Sequence, residues 1–155
     1  MKQDVEIERK YLLSGMPASP AAERVLDIDQ GYLPGIKVQE RVRRERTREG
    51  AVRYFRTMKI GTGLVRTELE DETDEKLFNH LWALTEGRRV KKRRHIVLNG
   101  DDRWEIDEFL DRELFLAELE LDAPEAPVTI PDWLKPVLVR EVTDERAYTN
   151  RSLAR

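Results

Sequence analysis

Charged residues recur two apart along this chain, and the members of each pair share a sign. Glu6 and Glu8, Arg41 and Arg43, Glu68 and Glu70, Lys92 and Arg94, Glu105 and Asp107, and Glu118 and Glu120 are so placed; Lys10 extends the first pair and Lys59 stands alone. The residue between is often apolar: Ile7, Val42, Leu69, Ile106 and Leu119. In an extended chain successive side chains point to opposite faces. Each pair therefore lies on one face of a strand, with its apolar spacer on the other. Ion pairs across a solvated sheet contribute only about 0.2–1 kcal/mol each, and any single pair fits such a face. Six pairs in six strands, each purely acidic or purely basic, do not fit it well. Like charges two apart repel, so segregation of sign needs something between the clusters. A polyanion held by the cations, with divalent metal held by the carboxylates, answers that need. Such a sheet, packing its apolar face outward on helices and turning its charged face inward, is the inverse of an ordinary barrel and encloses a polar tunnel.

The strands follow from alternation and punctuation. The run Val5–Leu13 puts Glu6, Glu8 and Lys10 on one face and Val5, Ile7, Tyr11 and Leu13 on the other, with Arg9 the exception. Ser14–Pro20 is loop, and Ala21–Arg24 is read as a short helical turn. Strands are predicted over Val25–Leu33, Val38–Arg46, Val52–Ile60 and Leu64–Glu72. A turn at Thr47–Ala51 makes the middle two a hairpin, and Gly61-Thr62-Gly63 leads into the last. The period then changes. Thr73 or Asp74 caps a helix whose stripe is Leu77, Phe78, Leu81 and Trp82, ending at Gly87 and packing outside the sheet. Strands return at Arg89–Leu98, Arg103–Leu110 and Leu114–Leu121, with Asn99–Asp102 a hairpin turn. Pro124, Pro127, Pro131 and Pro136 make Asp122–Pro136 a loop with a turn of helix at Asp132–Lys135. Val139–Arg155 holds a short extended piece and a terminal helical segment capped near Asp144 or Asn150. No repeat or linker divides the chain, so residues 1–155 read as a single domain.

Composition narrows the function classes. Lys and Arg number 28 against 31 Asp and Glu, so the net charge of −3 draws the chain to neither nucleic acid nor anionic membrane. The absence of cysteine excludes disulfides and thiolate metal sites and fits a reducing cytoplasm. The N-terminal residues lack the apolar core of a signal peptide, and no run is long enough to span a bilayer, so a cytoplasmic protein is expected. There is no G-x-x-x-x-G-K-[ST] phosphate loop and no nucleophilic Ser or Cys site. His80, on the predicted helix, is a surface or packing residue. Arg41–Arg48 and Arg88–Arg94 are basic runs of a kind that binds RNA, but Arg44, Arg46, Arg48, Arg88 and Arg93 lack interleaved aromatics and suit a solvated face.

Eight further segments accompany E-I-E-R-K at Glu6–Lys10, in order: I-D-Q-G-Y-L, R-V-R, T-M-K, R-T-E-L-E, E-G-R-R-V-x-K-x-R, W-E-I-D-x-F, L-A-E-L-E-L and E-V-T-x-x-x-x-Y-x-N. Together they resemble the CYTH family, also called triphosphate tunnel metalloenzymes, over nearly the whole chain. The resemblance implies an α+β fold: an eight-stranded antiparallel β-barrel forming a tunnel, with helices packed outside. By the family pattern Lys10, Arg41, Arg43, Lys59, Lys92 and Arg94 grip phosphates. Glu6, Glu8, Glu68, Glu70, Glu118 and Glu120, with Asp107 nearby, hold one or two Mg²⁺ or Mn²⁺ ions. Glu8, Glu70 and Lys92 are the residues assigned to catalysis, and Glu120 could also position water. The sequence departs from the pattern at Arg56, where an apolar residue is usual, and at His95, where Tyr is common; both fall on the outer face.

The family includes inorganic, thiamine and RNA triphosphatases and one class of adenylate cyclases. The short length and the E-G-R-R-V-x-K-x-R run look most like compact bacterial members that hydrolyse inorganic tripolyphosphate to pyrophosphate and phosphate. Adenylate cyclase and thiamine triphosphatase are the alternatives within the family, and a non-catalytic polyphosphate- or RNA-binding module is the alternative outside it. The resemblance also implies a homodimer, for which the exposed helix and the Trp133 segment are the candidate surfaces. The sequence leaves open whether Tyr148–Arg155 closes one end of the tunnel or lies outside it.

Overall fold

The structure, a computed structural model, describes residues 2–35, 38–61 and 64–155. Its strands are β1 (Lys2–Leu13), β2 (Arg24–Tyr32), β3 (Gln39–Thr47), β4 (Val52–Ile60), β5 (Val65–Thr73), β6 (Arg89–Asn99), β7 (Asp102–Phe109), β8 (Phe115–Glu120) and β9 (Leu138–Glu141); its helices are α1 (Glu75–Trp82) and α2 (Asn150–Leu153). Neighbours run β5-β4-β3-β2-β6-β7-β8-β1, and β1 pairs back onto β5, closing an eight-stranded barrel. Every pairing is antiparallel. β1 makes the closure through its length. Its first half pairs with β5, from Lys2 opposite Glu70 to Ile7 opposite Val65; its second half pairs with β8, from Glu8 opposite Glu120 to Leu13 opposite Phe115. β9 adds beside Tyr11–Leu13.

The expected hairpins form where the turn chemistry permits them. Gly100, at φ 63°, takes the left-handed position of the Asn99–Asp102 turn. Gly31 serves a different need: a Cβ there would meet Thr85 Oγ1 at 2.5 Å, so the turn after α1 approaches β2 only because this residue is glycine. α1 is capped by Asp74, whose carboxylate accepts from Leu77 N at 2.8 Å. The helix packs Phe78 between Tyr54 and Trp82 on the outside of the barrel.

The main apolar core lies outside the bore, as alternation requires. Tyr11, Leu13, Val97, Trp104, Ile106, Ala117 and Leu119 project outward from β1, β6, β7 and β8 and are buried beneath Leu134 and the neighbouring loop. Trp133 is half-buried against this layer, while Val5, Ile60 and Val65 stay exposed on the uncovered part of the wall. Arg56 and His95 face outward as expected, with Arg56 3.9 Å from Glu40 and His95 3.7 Å from Glu108. No helix among the described residues is long and apolar enough to cross a membrane.

Three local expectations need correction or completion. Ala21–Arg24 makes no helical turn: Glu23 N donates to the Ile96 carbonyl, and Arg24 already belongs to β2, because the ladder with β6 begins there. The terminal helix is capped by Thr149, next to Asn150 and away from Asp144, its hydroxyl accepting from Ser152 N. Of the Gly61-Thr62-Gly63 turn, Thr62 and Gly63 lie outside the described residues.

Candidate active site

The inward faces of the strands enclose a cavity of about 1060 Å³. Glu6, Glu8 and Lys10 reach it from β1, Arg41 and Arg43 from β3, Lys59 from β4, Glu68 and Glu70 from β5, Arg94 from β6, and Glu118 and Glu120 from β8. Register sets their neighbours: Lys10 lies opposite Glu118, Glu8 opposite Glu120, Lys59 opposite Glu68, and Thr57 between Arg41 and Glu70. Lys92 and Asp107, also expected in the site, do not reach the cavity surface. They lie fully buried in the wall, where Asp107 accepts from Lys92 Nζ at 2.8 Å and from Arg94 Nε and Nη2 at 2.8 and 2.9 Å. Both Asp107 oxygens are thereby taken.

The opposed clusters of the sequence reading interdigitate. Glu6 sits 3.0 Å from Lys59 and 3.3 Å from Arg66; Arg66 is 2.7 Å from Glu8; Glu118 is 3.3 Å from Lys10 and 3.7 Å from Arg94; Arg41 is 3.5 Å from Glu68 and 3.8 Å from Glu70. Burial in a wall of charges shifts these groups strongly. Burial pushes Glu6 up, but Lys59 and Arg66 outweigh it and hold its carboxyl at about 2. Glu8 is pushed up to about 8 by burial and by the carboxylates of Glu118 and Glu6. Burial also raises Glu118, yet Lys10 and Arg94 hold it well below the carboxylate range. Lys59 is lowered by burial and by Arg41.

Hydrogen-bonding capacity remains on both sides. Arg41 Nε and Arg66 Nε are buried donors with no acceptor, and Glu118 Oε1 is buried with only the Lys10 ammonium near it, at 3.3 Å and outside hydrogen-bond geometry. A buried polar atom left unpaired costs about 1–3 kcal/mol. The donors suit an anion's oxygens and the acceptor suits a cation. Among the described residues no three acidic or histidine side chains are gathered closely enough to make a metal cage on their own.

Several contributors were not singled out from the sequence. Arg66 is one, although it lies two before Glu68 and the same alternation places it inward. Gln30 accepts from Arg43 Nε at 2.9 Å and donates to the Tyr32 hydroxyl at 2.7 Å, aiming Arg43. Thr57 donates to Glu70 at 3.0 Å. The C-terminal segment closes one end of the bore: Tyr148 O accepts from Lys10 Nζ at 3.1 Å and Asn150 Oδ1 from Lys92 Nζ at 3.0 Å. Beneath them Tyr148, Leu153 and Ala154 pack on the inward-facing Val90, Phe109 and Leu116. Gln30 and Asn150 stand in segments that carry the family resemblance, but no role was read for either, since both act through strands distant in sequence.

A closed antiparallel barrel whose bore is lined by arginine, lysine and glutamate is a polyanion tunnel. Comparison with known proteins narrows the class. The chain is 36% identical to an inorganic triphosphatase of Nitrosomonas europaea, over 96% of each chain. It is 32% identical to an inorganic triphosphatase of Acetivibrio thermocellus, over 97% of this chain and 93% of the other. A crystal structure of an inorganic triphosphatase superposes with a TM-score of 0.62 at 34% identity, over 96% of this chain and 93% of that one. No protein-family profile matches the chain. The chain belongs to the family of these triphosphatases, the CYTH or triphosphate tunnel proteins.

Proposed function

We propose that this protein hydrolyses inorganic tripolyphosphate to pyrophosphate and phosphate inside the bore, with a divalent cation. The observation that carries the reading is the lining itself: cations that include Lys10, Arg41, Arg43, Lys59, Arg66 and Arg94 face a cavity of about 1060 Å³ in which buried N–H groups still lack acceptors. Among the described lining residues Tyr32 is the only aromatic ring, and its hydroxyl is engaged by Gln30, which favours a bare polyanion over a nucleotide or thiamine substrate.

Glu6, Glu8, Glu118 and Glu120, from β1 and β8, are hard oxygen donors suited to Mg²⁺ or Mn²⁺, and Glu68 and Glu70 offer a second pair on β5. The donor set fits, since Mg²⁺ is commonly held by one or two carboxylates completed by substrate phosphates. Bound there, a divalent ion supplies neutralisation of the phosphate oxygens. Arg41, Arg43 and Arg94 bind and orient the chain of phosphates, and Lys10 and Lys59 spread the charge that grows on the leaving pyrophosphate. Glu8 and Glu70 orient the attacking water. Its oxygen bonds to the terminal phosphorus, the P–O–P link breaks, and the electron pair leaves with pyrophosphate while one proton is released. Lys92 and Asp107 act as positioning residues that hold Arg94 from behind. Phosphate release from tripolyphosphate, ATP and thiamine triphosphate, each with Mg²⁺ or Mn²⁺ and with cyclic AMP followed in parallel, tests this. Metal-dependent release greatest with tripolyphosphate is expected; cyclic AMP formation without phosphate release would overturn it.

A further inference from the structure

One cation lining the bore sits where a divalent ion would be needed. Arg66 comes from β5 directly opposite Glu6. Its Nη2 lies 2.7 Å from Glu8 Oε1 and 3.3 Å from Glu6 Oε2, so a single nitrogen bridges two carboxylates. Its Nε, buried, bonds to nothing. The guanidinium is thus held at one edge only, in a side chain 14% exposed. A residue whose sole job was to knit β1 to β5 would use its fork fully, as Arg53 does with Nε and Nη2 on the two oxygens of Glu72, at 2.9 and 2.7 Å.

We propose that Arg66 is a displaceable counter-cation: its Nη2 occupies oxygens of Glu6 and Glu8, surrenders them to an incoming divalent ion, and its donors then turn on the polyanion. This inference rests on the metal-dependent reading above. An ion held by these two carboxylates would compete with Nη2 for Glu8 Oε1 and for Glu6 Oε2, the latter also 3.0 Å from Lys59 Nζ. Loading therefore has to break the Arg66 contacts, which weakens affinity for the ion alone. A polyanion gives the freed guanidinium a new partner, so each ligand favours the other, and the coupling is reciprocal.

Mn²⁺ binding by calorimetry to wild type, Arg66→Gln and Arg66→Lys, first with Mn²⁺ alone and then with saturating pyrophosphate, tests it. Arg66→Gln should bind Mn²⁺ alone about tenfold or more tightly than wild type, the size of one charge-assisted contact. That gain should shrink or reverse with pyrophosphate, and Arg66→Lys should stay near wild type. Equal or weaker binding by Arg66→Gln with Mn²⁺ alone overturns the inference. Should Arg66→Gln fail to fold unaided, recovery of its thermal transition by Mn²⁺ supports the proposal and failure to recover contradicts it. A wild type that takes up no Mn²⁺ removes the metal reading itself, an outcome distinct from unchanged affinity in the variant.

Discussion

Asp107 shows how much a pair spaced two apart can conceal. Its charge and inward parity match those of Glu105, yet its carboxylate is wholly buried and saturated by Lys92 and Arg94. Removing one partner of a buried ionic group typically costs about 3–5 kcal/mol, since the charge left behind is uncompensated. Asp107→Ala should lose about that much by urea denaturation. Asp107→Asn, which keeps the shape and reaches Glu118 only through Arg94, should lower Mn²⁺ affinity less than Glu118→Gln does; an equal loss would restore Asp107 to the metal set. Lys92 carries a pH signature. Burial pushes its ammonium down to about 8, with Asp107 opposing and Arg94 assisting. In the unfolded chain a lysine keeps its proton to about 10.4. Between those values the unfolded chain holds the extra proton, so stability rises with pH through the window, and the whole penalty applies below it. Relative to Lys92→Met, wild type should gain up to about 3 kcal/mol between neutrality and pH ~10.5. A gap in denaturation free energy that does not change with pH would contradict this. Parity made the faces of Glu6, Glu8, Arg41, Glu70 and Arg94 legible in the sequence. It could not tell which inward residues reach the cavity and which, like Lys92, are sealed by Asn150.

At the scale of elements, strands were legible because one-residue alternation survives wherever one face is charged and the other packs. The run at β2 shows the limit: Ala-Ala-Glu-Arg before an alternating run resembles a helical turn until β6 arrives to pair with Glu23 and Arg24. The C-terminal segment was ambiguous for the same reason. Its place depends on Lys10, 138 residues away, and on Arg89, whose backbone exchanges hydrogen bonds with Arg155 at 3.2 and 2.9 Å. The outer layer obeys plain packing rules. Trp104 projects from β7 away from the bore, fully buried against Tyr11 and Leu134. Trp104→Ala should cost about 3–5 kcal/mol in the free energy of chemical denaturation, while the affinity of the folded protein for Mn²⁺ stays unchanged. A loss of metal affinity as large as the loss of stability would mean that the layer outside the wall also sets the geometry inside it.

For the whole molecule, an inverted barrel couples stability to cargo. Apolar burial outside the wall holds the strands together, whereas the ion pairs inside offset their own desolvation only in part. Phosphates and a divalent ion that enter the bore exchange partial pairings for full ones, and binding to the native state alone stabilises by about 2.7 kcal/mol at a ligand concentration a hundredfold above Kd. For a chain of 155 residues this corresponds to a rise in Tm of roughly 5–10 °C. Pyrophosphate and Mn²⁺ added together should raise Tm by more than the sum of their separate effects, because carboxylates and cations share one bore and each ligand relieves the repulsion the other leaves. Strictly additive shifts would place the two ligands in independent sites. Glu70→Lys separates an enzyme from a simple cationic binder. In an enzyme, reversing this charge should abolish the Mn²⁺-dependent part of the shift and metal-dependent turnover, whereas a simple cationic binder would take up pyrophosphate or RNA at least as well. A Glu70→Lys protein that keeps the full joint shift would show that the β5 carboxylates take no part in holding the metal.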